Sequence, residues 1–287
     1  MVGDPKWGGL ARRAAGRLEE GGSGASSTWR DVMAAAREEA ERHGPTDRSV
    51  DEWVRVDDVR EEATSAVTRG RRPAIDERVE IEDEVRQELN RSVGAVRAPR
   101  LEQRLADATR AFSAERYGDA ARILRRLAEE APRVAAVREL YGLTLYRQGK
   151  WRAAVKELEA FRMLTSSTEQ HPVLADSYRA LGDTATVDEL WEELRSASPS
   201  AELVVEGRIV VAGSMADRGD LPGAIRVLEQ GWRIPRRAQD HHLRRGYALA
   251  DLYERAGDVA RARELFSRLA ALDPGFADVR ARLHALN

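Results

Sequence analysis

The C-terminal two-thirds of the chain repeats itself, and this limits the folds open to it more than any other feature. A small residue recurs about every 35 positions, at Ala108, Gly142, Ala175, Ala212 and Ala250. Three residues after each stands Ala111, Leu145, Tyr178, Met215 or Tyr253. A turn column follows, at Glu115, Gly149, Gly182, Gly219 and Gly257, and then a second column of mostly small residues, Ala120, Ala154, Val187, Ala224 and Ala262. Leu124, Leu158, Trp191, Leu228 and Phe266 come four residues later. A period of this length belongs to helical arrays, whose units contact chiefly their neighbours.

The fifth copy shows why. Leu249, Ala250 and Tyr253 share one face of a helix that Gly257-Asp258 interrupts. A second apolar stripe, Ala262, Leu265, Phe266 and Leu269, runs to Asp273-Pro274. The two helices form a hairpin in which Ala250 and Ala262 permit close approach, while Tyr253 and Phe266 fill the space towards the neighbouring hairpin. Each large apolar side chain is worth roughly 1.5–3 kcal/mol when buried. No hairpin can bury its outer flank alone, so stacking is obligatory. The copies span about 101–134, 135–167, 168–204, 205–242 and 243–274, and Phe276, Val279, Leu283 and Leu286 mark a closing helix over 275–287. The third copy is eroded, with Val187 in a small position.

On these residues the chain resembles the tetratricopeptide repeat family over 101–287. The fifth copy matches best, through Leu249, Ala250, Tyr253, Gly257, Ala262, Phe266 and Pro274. Residues 169–175 and 247–253 also resemble uncharacterised tetratricopeptide proteins of GC-rich, actinobacterial-type genomes. The resemblance implies an all-α fold, a right-handed superhelical solenoid of antiparallel hairpins. It implies a concave face for a protein or peptide, and no reaction. The family's groove positions fall here on Glu139, Leu143, Tyr146 and Arg147 in the second copy and on Asp176 and Arg179 in the third. In the fifth they fall on Arg244, Tyr247, Asp251, Glu254 and Arg255. Tyr146 and Tyr247 are the expected aromatic anchors. Some members clamp a peptide C-terminus with Lys and Asn side chains. The corresponding column here is Thr109, Leu143, Asp176, Gly213 and Asp251, which has no Asn.

Composition narrows the function classes. The absence of cysteine excludes disulfides, thiolate metal sites and cysteine nucleophiles. No apolar run approaches the ~20 residues of a membrane span, and the first residues lack the apolar core of a signal peptide, so a cytoplasmic location is expected. Three lysines among 47 basic residues reflect a GC-rich genome. Residues 1–100 hold 18 Lys and Arg against 21 Asp and Glu, and residues 101–287 hold 29 against 28. That balance argues against nucleic acid, which draws on a clear positive excess. An RNA- or ribosome-linked role for the arginine-rich surface is the alternative, and it predicts steeply salt-sensitive retention.

The first hundred residues do not follow the repeat. Helical stripes are expected around Trp7, Leu10, Ala14 and Leu18, around Trp29, Val32, Met33, Ala36 and Ala40, and around Trp53, Val56, Val59 and Ala63. A last one carries Ile81, Val85 and Leu89. Gly21 to Ser27 is flexible by composition. The region reads either as partly disordered helices tethered to the array or as a docking arm anchored by Trp7, Trp29 and Trp53.

Candidate chemistry is thin. His241 and His242 are adjacent, which suits one metal ion poorly, and no HExxH spacing occurs. His171 precedes Pro172, which places it at a loop-to-helix junction. Gly21-Gly22-Ser23-Gly24 lacks the strand and helix of a phosphate loop. Asp188, Glu189, Glu192 and Glu193 read as a solvated helix face. No enzyme and no cofactor is expected.

Overall fold

A computed structural model describes residues 79–235 and 237–286. The expected helices around Trp7, Trp29 and Trp53 lie outside them. Among the described residues there are twelve α-helices and no β-strand. In chain order these are α1 (Asp83–Val93), α2 (Ala98–Ser113), α3 (Tyr117–Glu130), α4 (Ala135–Arg147), α5 (Trp151–Thr165), α6 (His171–Ala180), α7 (Thr184–Ala197), α8 (Ala201–Asp217), α9 (Leu221–Glu229), α10 (Asp240–Arg255), α11 (Val259–Leu272) and α12 (Val279–Ala285).

From α2 to α11 the helices pair into five antiparallel hairpins, each packed on the next, with α1 against α2 and α12 against α11. The turn column explains the pairing. Glu115, Gly149, Gly182, Gly219 and Gly257 have φ of 57°, 70°, 81°, 88° and 81°, a left-handed conformation that glycine adopts without a Cβ penalty. In every hairpin the amide one residue further on donates to the carbonyl of the large apolar column. The acceptors are Ala111, Leu145, Tyr178, Met215 and Tyr253, at 2.8–3.0 Å. This is the six-to-one bond of a helix-ending Schellman turn. In the last three hairpins the next residue is aspartate. Asp183, Asp220 and Asp258 each accept an amide bond from the first turn of the second helix, at 3.2, 2.8 and 3.2 Å. One Gly-Asp pair thus stops one helix and starts the next.

The columns form the core. Ala108, Ala120, Ala154, Ala224, Ala250 and Ala262 are fully buried, with Leu124, Leu158, Leu228 and Phe266 among them. At Gly142 a Cβ would lie 2.7 Å from Leu158 Cγ, so the second hairpin closes tighter than an alanine permits. Val79, Ile81, Val85 and Leu89 belong to the same buried cluster as the first hairpin, so the packed body begins before residue 101. The fourth hairpin starts at Ala201, where the Ser200 side chain caps α8, and the fifth at Asp240. Both starts precede the expected positions 205 and 243. At the other end Phe276 and Val279 join the core of the last two hairpins.

Candidate protein-interaction surface

The first helices of the hairpins, α2, α4, α6, α8 and α10, stand in a row that α12 extends. Their facing side chains are tied from one repeat to the next. Tyr146 on α4 donates its hydroxyl to Asp176 Oδ2 on α6 at 2.6 Å. Arg179, one turn on, donates to Asp176 Oδ1 at 2.6 Å and to Asp217 Oδ2 on α8 at 2.7 Å. The guanidinium needs room, and Gly213 supplies it, since a Cβ there would lie 3.1 Å from Arg179 Nη1. Glu206 on α8 pairs with Arg244 on α10, both side chains being nearly covered. Tyr247 on α10 donates to Asp278, and Arg282 on α12 reaches back to Asp251 and Glu254, each at 2.8 Å. Arg282 also lies 5.1 Å from the ring centre of Phe266. Gln170 donates to Glu139 at 2.7 Å.

Four of the tied groups, Tyr146, Tyr247, Arg179 and Arg282, are shifted away from neutrality. Burial, then the negative charge of Asp176, holds the Tyr146 hydroxyl well above the ordinary tyrosine value. Burial and the bond to Asp278 raise Tyr247 likewise. Burial lowers the affinity of Arg282 for its proton, but Asp251 and Glu254 more than reverse this. Arg179 is raised in the same way by Asp176 and Asp217. Groups pushed outward hold bonds and do not exchange protons at neutral pH.

The structure therefore corrects part of the expected groove. Tyr146 and Tyr247 are 6% and 2% exposed, so neither ring can anchor a partner. Glu139, Asp176, Arg179 and Arg244 are also buried, in links between repeats. The rim keeps Leu143, Arg147, Asp251 and Glu254, which are half-buried, and Arg255, which is exposed. Arg147 lies 5.8 Å from the ring centre of Tyr117, and Arg255 donates to Ala216 O at 3.4 Å.

Other singled-out residues find plain places. His171 is the first residue of α6, and its Nε2 lies 2.9 Å from Glu193 Oε2. With Arg162, Met163, Ser166, Ser167 and Thr168 they line a shallow cleft of about 320 Å³ beside the loop after α5. Glu193 sits below the usual carboxylate range: burial works against this, but the bonds from His171 and Arg162 prevail. Asp188 and Glu192 pair with Arg218 and Arg195 on the surface. His241 and His242 stack at 4.0 Å, and burial and its neighbour lower the His241 pKa. Among the described residues no group of three His, Asp or Glu side chains could hold a metal ion, and no helix is long and apolar enough to cross a membrane.

Residues 243–286 match the sequence profile described as Tetratricopeptide repeat. The solved structure of TTC0263, a thermophilic TPR protein in Thermus thermophilus, is similar at 17% identity, covering 65% of this chain and 98% of its own, with a TM-score of 0.50. The P58(IPK) TPR domain aligns at 15% identity over 90% of this chain and 77% of its own, with a TM-score of 0.32. No curated protein sequence matches the chain significantly. What the chain shares with TTC0263 is the fold, an array of tetratricopeptide-type hairpins.

Proposed function

We propose that the chain is a non-enzymatic adaptor that presents the row of first helices, with its rim of Leu143, Arg147, Asp251, Glu254 and Arg255, to a protein or peptide partner. The observation that carries this reading is the run of cross-ties from Tyr146 to Arg282, which builds the wall before any partner arrives. A surface already ordered spares the partner much of the entropy that binding otherwise costs. The fold resembles arrays that supply surface rather than chemistry. The buried ties leave recognition to the rim, which carries both signs of charge and whose Asp251 and Glu254 are also held by Arg282.

The test is affinity capture from the source cells after nuclease treatment, with mass spectrometry of what is retained. Arg147→Glu with Arg255→Glu should release the partner while leaving helicity unchanged. Equal recovery by a fully helical double variant would move the binding surface away from this row.

A further inference from the structure

A second surface, distinct from the cross-tied wall, lies where α8 and α10 meet the C-terminal end of α9, and is built twice over from the same three parts. Trp191 of α7 lies on Gly207 of α8, where a Cβ would come within 3.2 Å of the indole. The adjacent Arg208 places its guanidinium 5.4 Å from the centre of that ring. One repeat later Trp232 lies on Gly246 of α10, where a Cβ would meet the indole at 3.0 Å, and Arg245 stands 5.7 Å from its ring. Both arginines converge on the end of α9. Arg208 donates to Val227 O at 3.0 Å and to Gln230 Oε1 at 3.2 Å, and Arg245 donates to Leu228 O at 2.9 Å and to Gln230 O.

The carbonyl end of a helix favours nearby positive charge, which accounts for part of this placement. It does not supply a counter-ion. The other arginines that are largely covered, such as Arg138, Arg179, Arg244 and Arg282, each face a carboxylate. Among the described residues Arg208 and Arg245 have none, and the buried Nε of Arg208 has no hydrogen-bond partner there. Burial, then the repulsion of Arg208, pulls Arg245 down to about 10, and burial with Arg195 lowers Arg208. Gln230 and Trp232, which touch these arginines, open the connection from α9 to α10, and its described residues include the exposed Arg233 and Arg237 and the half-buried Ile234.

We propose that this patch docks an acidic segment of a partner protein, whose carboxylates meet the half-buried Arg208 and the exposed Arg233 and Arg237, with the buried Arg245 adding positive charge behind them, and whose apolar side chain rests on Trp232 and Ile234. The proposal rests on the adaptor reading and adds a second contact to it. The planar fork of arginine suits a carboxylate in two-point contact, and Trp and Arg are the side chains that most often dominate protein interfaces. Nucleic acid fits less well. Each indole has a glycine backbone against it and an arginine close to its ring, which leaves a base little room to stack. Residues 101–287 also hold 29 Lys and Arg against 28 Asp and Glu, without the positive excess that tracks a phosphate backbone.

Fluorescence anisotropy of the full chain with a labelled peptide repeating Glu-Glu-Leu tests the proposal. The controls are its Gln-Gln-Leu counterpart and a single-stranded oligothymidine of equal charge. Saturable binding of the Glu peptide is expected, on the order of tenfold tighter than the Gln peptide and weakened by salt. Arg233→Ser with Arg237→Ser, both exposed, should weaken it several-fold at unchanged melting, and Arg208→Gln should do so independently. Equal binding of the Gln peptide, an unaffected Arg233→Ser/Arg237→Ser variant, or tighter binding of oligothymidine would each overturn it. Retention of the native partner by Arg233→Ser/Arg237→Ser, with its loss from Arg147→Glu/Arg255→Glu, would sink this patch and leave the adaptor reading standing.

Discussion

Gly142→Ala and Gly118→Ala are the same chemical change with opposite expected signs. Both glycines sit in helices, α4 and α3, so alanine should gain about 0.5–1 kcal/mol in each from reduced backbone freedom in the unfolded chain. At Gly118 no described residue lies within 4 Å of the new methyl, and the gain stands alone. At Gly142 the methyl would lie 2.7 Å from Leu158 Cγ and Cδ2 and 3.2 Å from the Leu158 backbone nitrogen. Leu158 is 1% exposed and cannot swing aside, and its backbone cannot move unless α5 shifts. Overpacking of this kind costs about 1–3 kcal/mol, which outweighs the helix gain. The net expectation at Gly142 is a loss of about 0.5–2 kcal/mol, and the two variants should differ by about 1–3 kcal/mol. Urea unfolding followed by far-UV circular dichroism reads this from the midpoints, provided the slopes agree. If Gly142→Ala melts as late as Gly118→Ala, the second hairpin is not closed on its glycine, and the reasoning about the small columns fails.

Other perturbations test other joints of the array. Arg282→Met removes the bonds to Asp251 and Glu254, and a loss of about 1–3 kcal/mol in urea unfolding is expected; Arg282→Lys should recover only part, because it lacks the planar fork. Glu115 holds the left-handed turn position that glycine fills in the other hairpins, at a cost of about 1–2 kcal/mol, so Glu115→Gly should raise the stability read from the urea midpoint by up to about 1 kcal/mol after the entropy of glycine is counted. Tyr146 and Tyr247 are held protonated by burial, so their contribution to stability is full below the ordinary tyrosine pKa of about 10 and is lost as pH rises above it. The slope should approach about 1.4 kcal/mol per pH unit for each, and Tyr146→Phe with Tyr247→Phe should flatten it. An equal slope in that double variant would place the alkaline sensitivity elsewhere.

The hairpins were legible because their signals are local. Glycines and alanines at fixed offsets report a left-handed turn and a close helix contact, and both lie within one copy. The start of α8 was harder, since Ala201–Asp217 is apolar on nearly every face and only the Ser200 cap marks its beginning. The burial of Tyr146 and Tyr247 is hidden from the sequence for a different reason. Each hydroxyl finds its carboxylate 30 or 31 residues ahead, one repeat away, so its burial is decided by the neighbouring copy. A tyrosine followed at that spacing by aspartate was the available clue. The patch at the end of α9 left only a faint mark, the adjacent pairs Gly207-Arg208 and Arg245-Gly246. What those pairs mean depends on Trp191 and Trp232, which arrive from the preceding repeat.

The cross-ties between first helices also act as a gauge. Short bonds between charged or buried groups tolerate little stretching, so bending the row by even a fraction of an ångström per repeat would strain several of them together. A ligand whose arc differs from that of the row must break ties before it can lie flat. On the adaptor reading proposed above, the array would sort visitors by their curvature before any side chain reads their sequence.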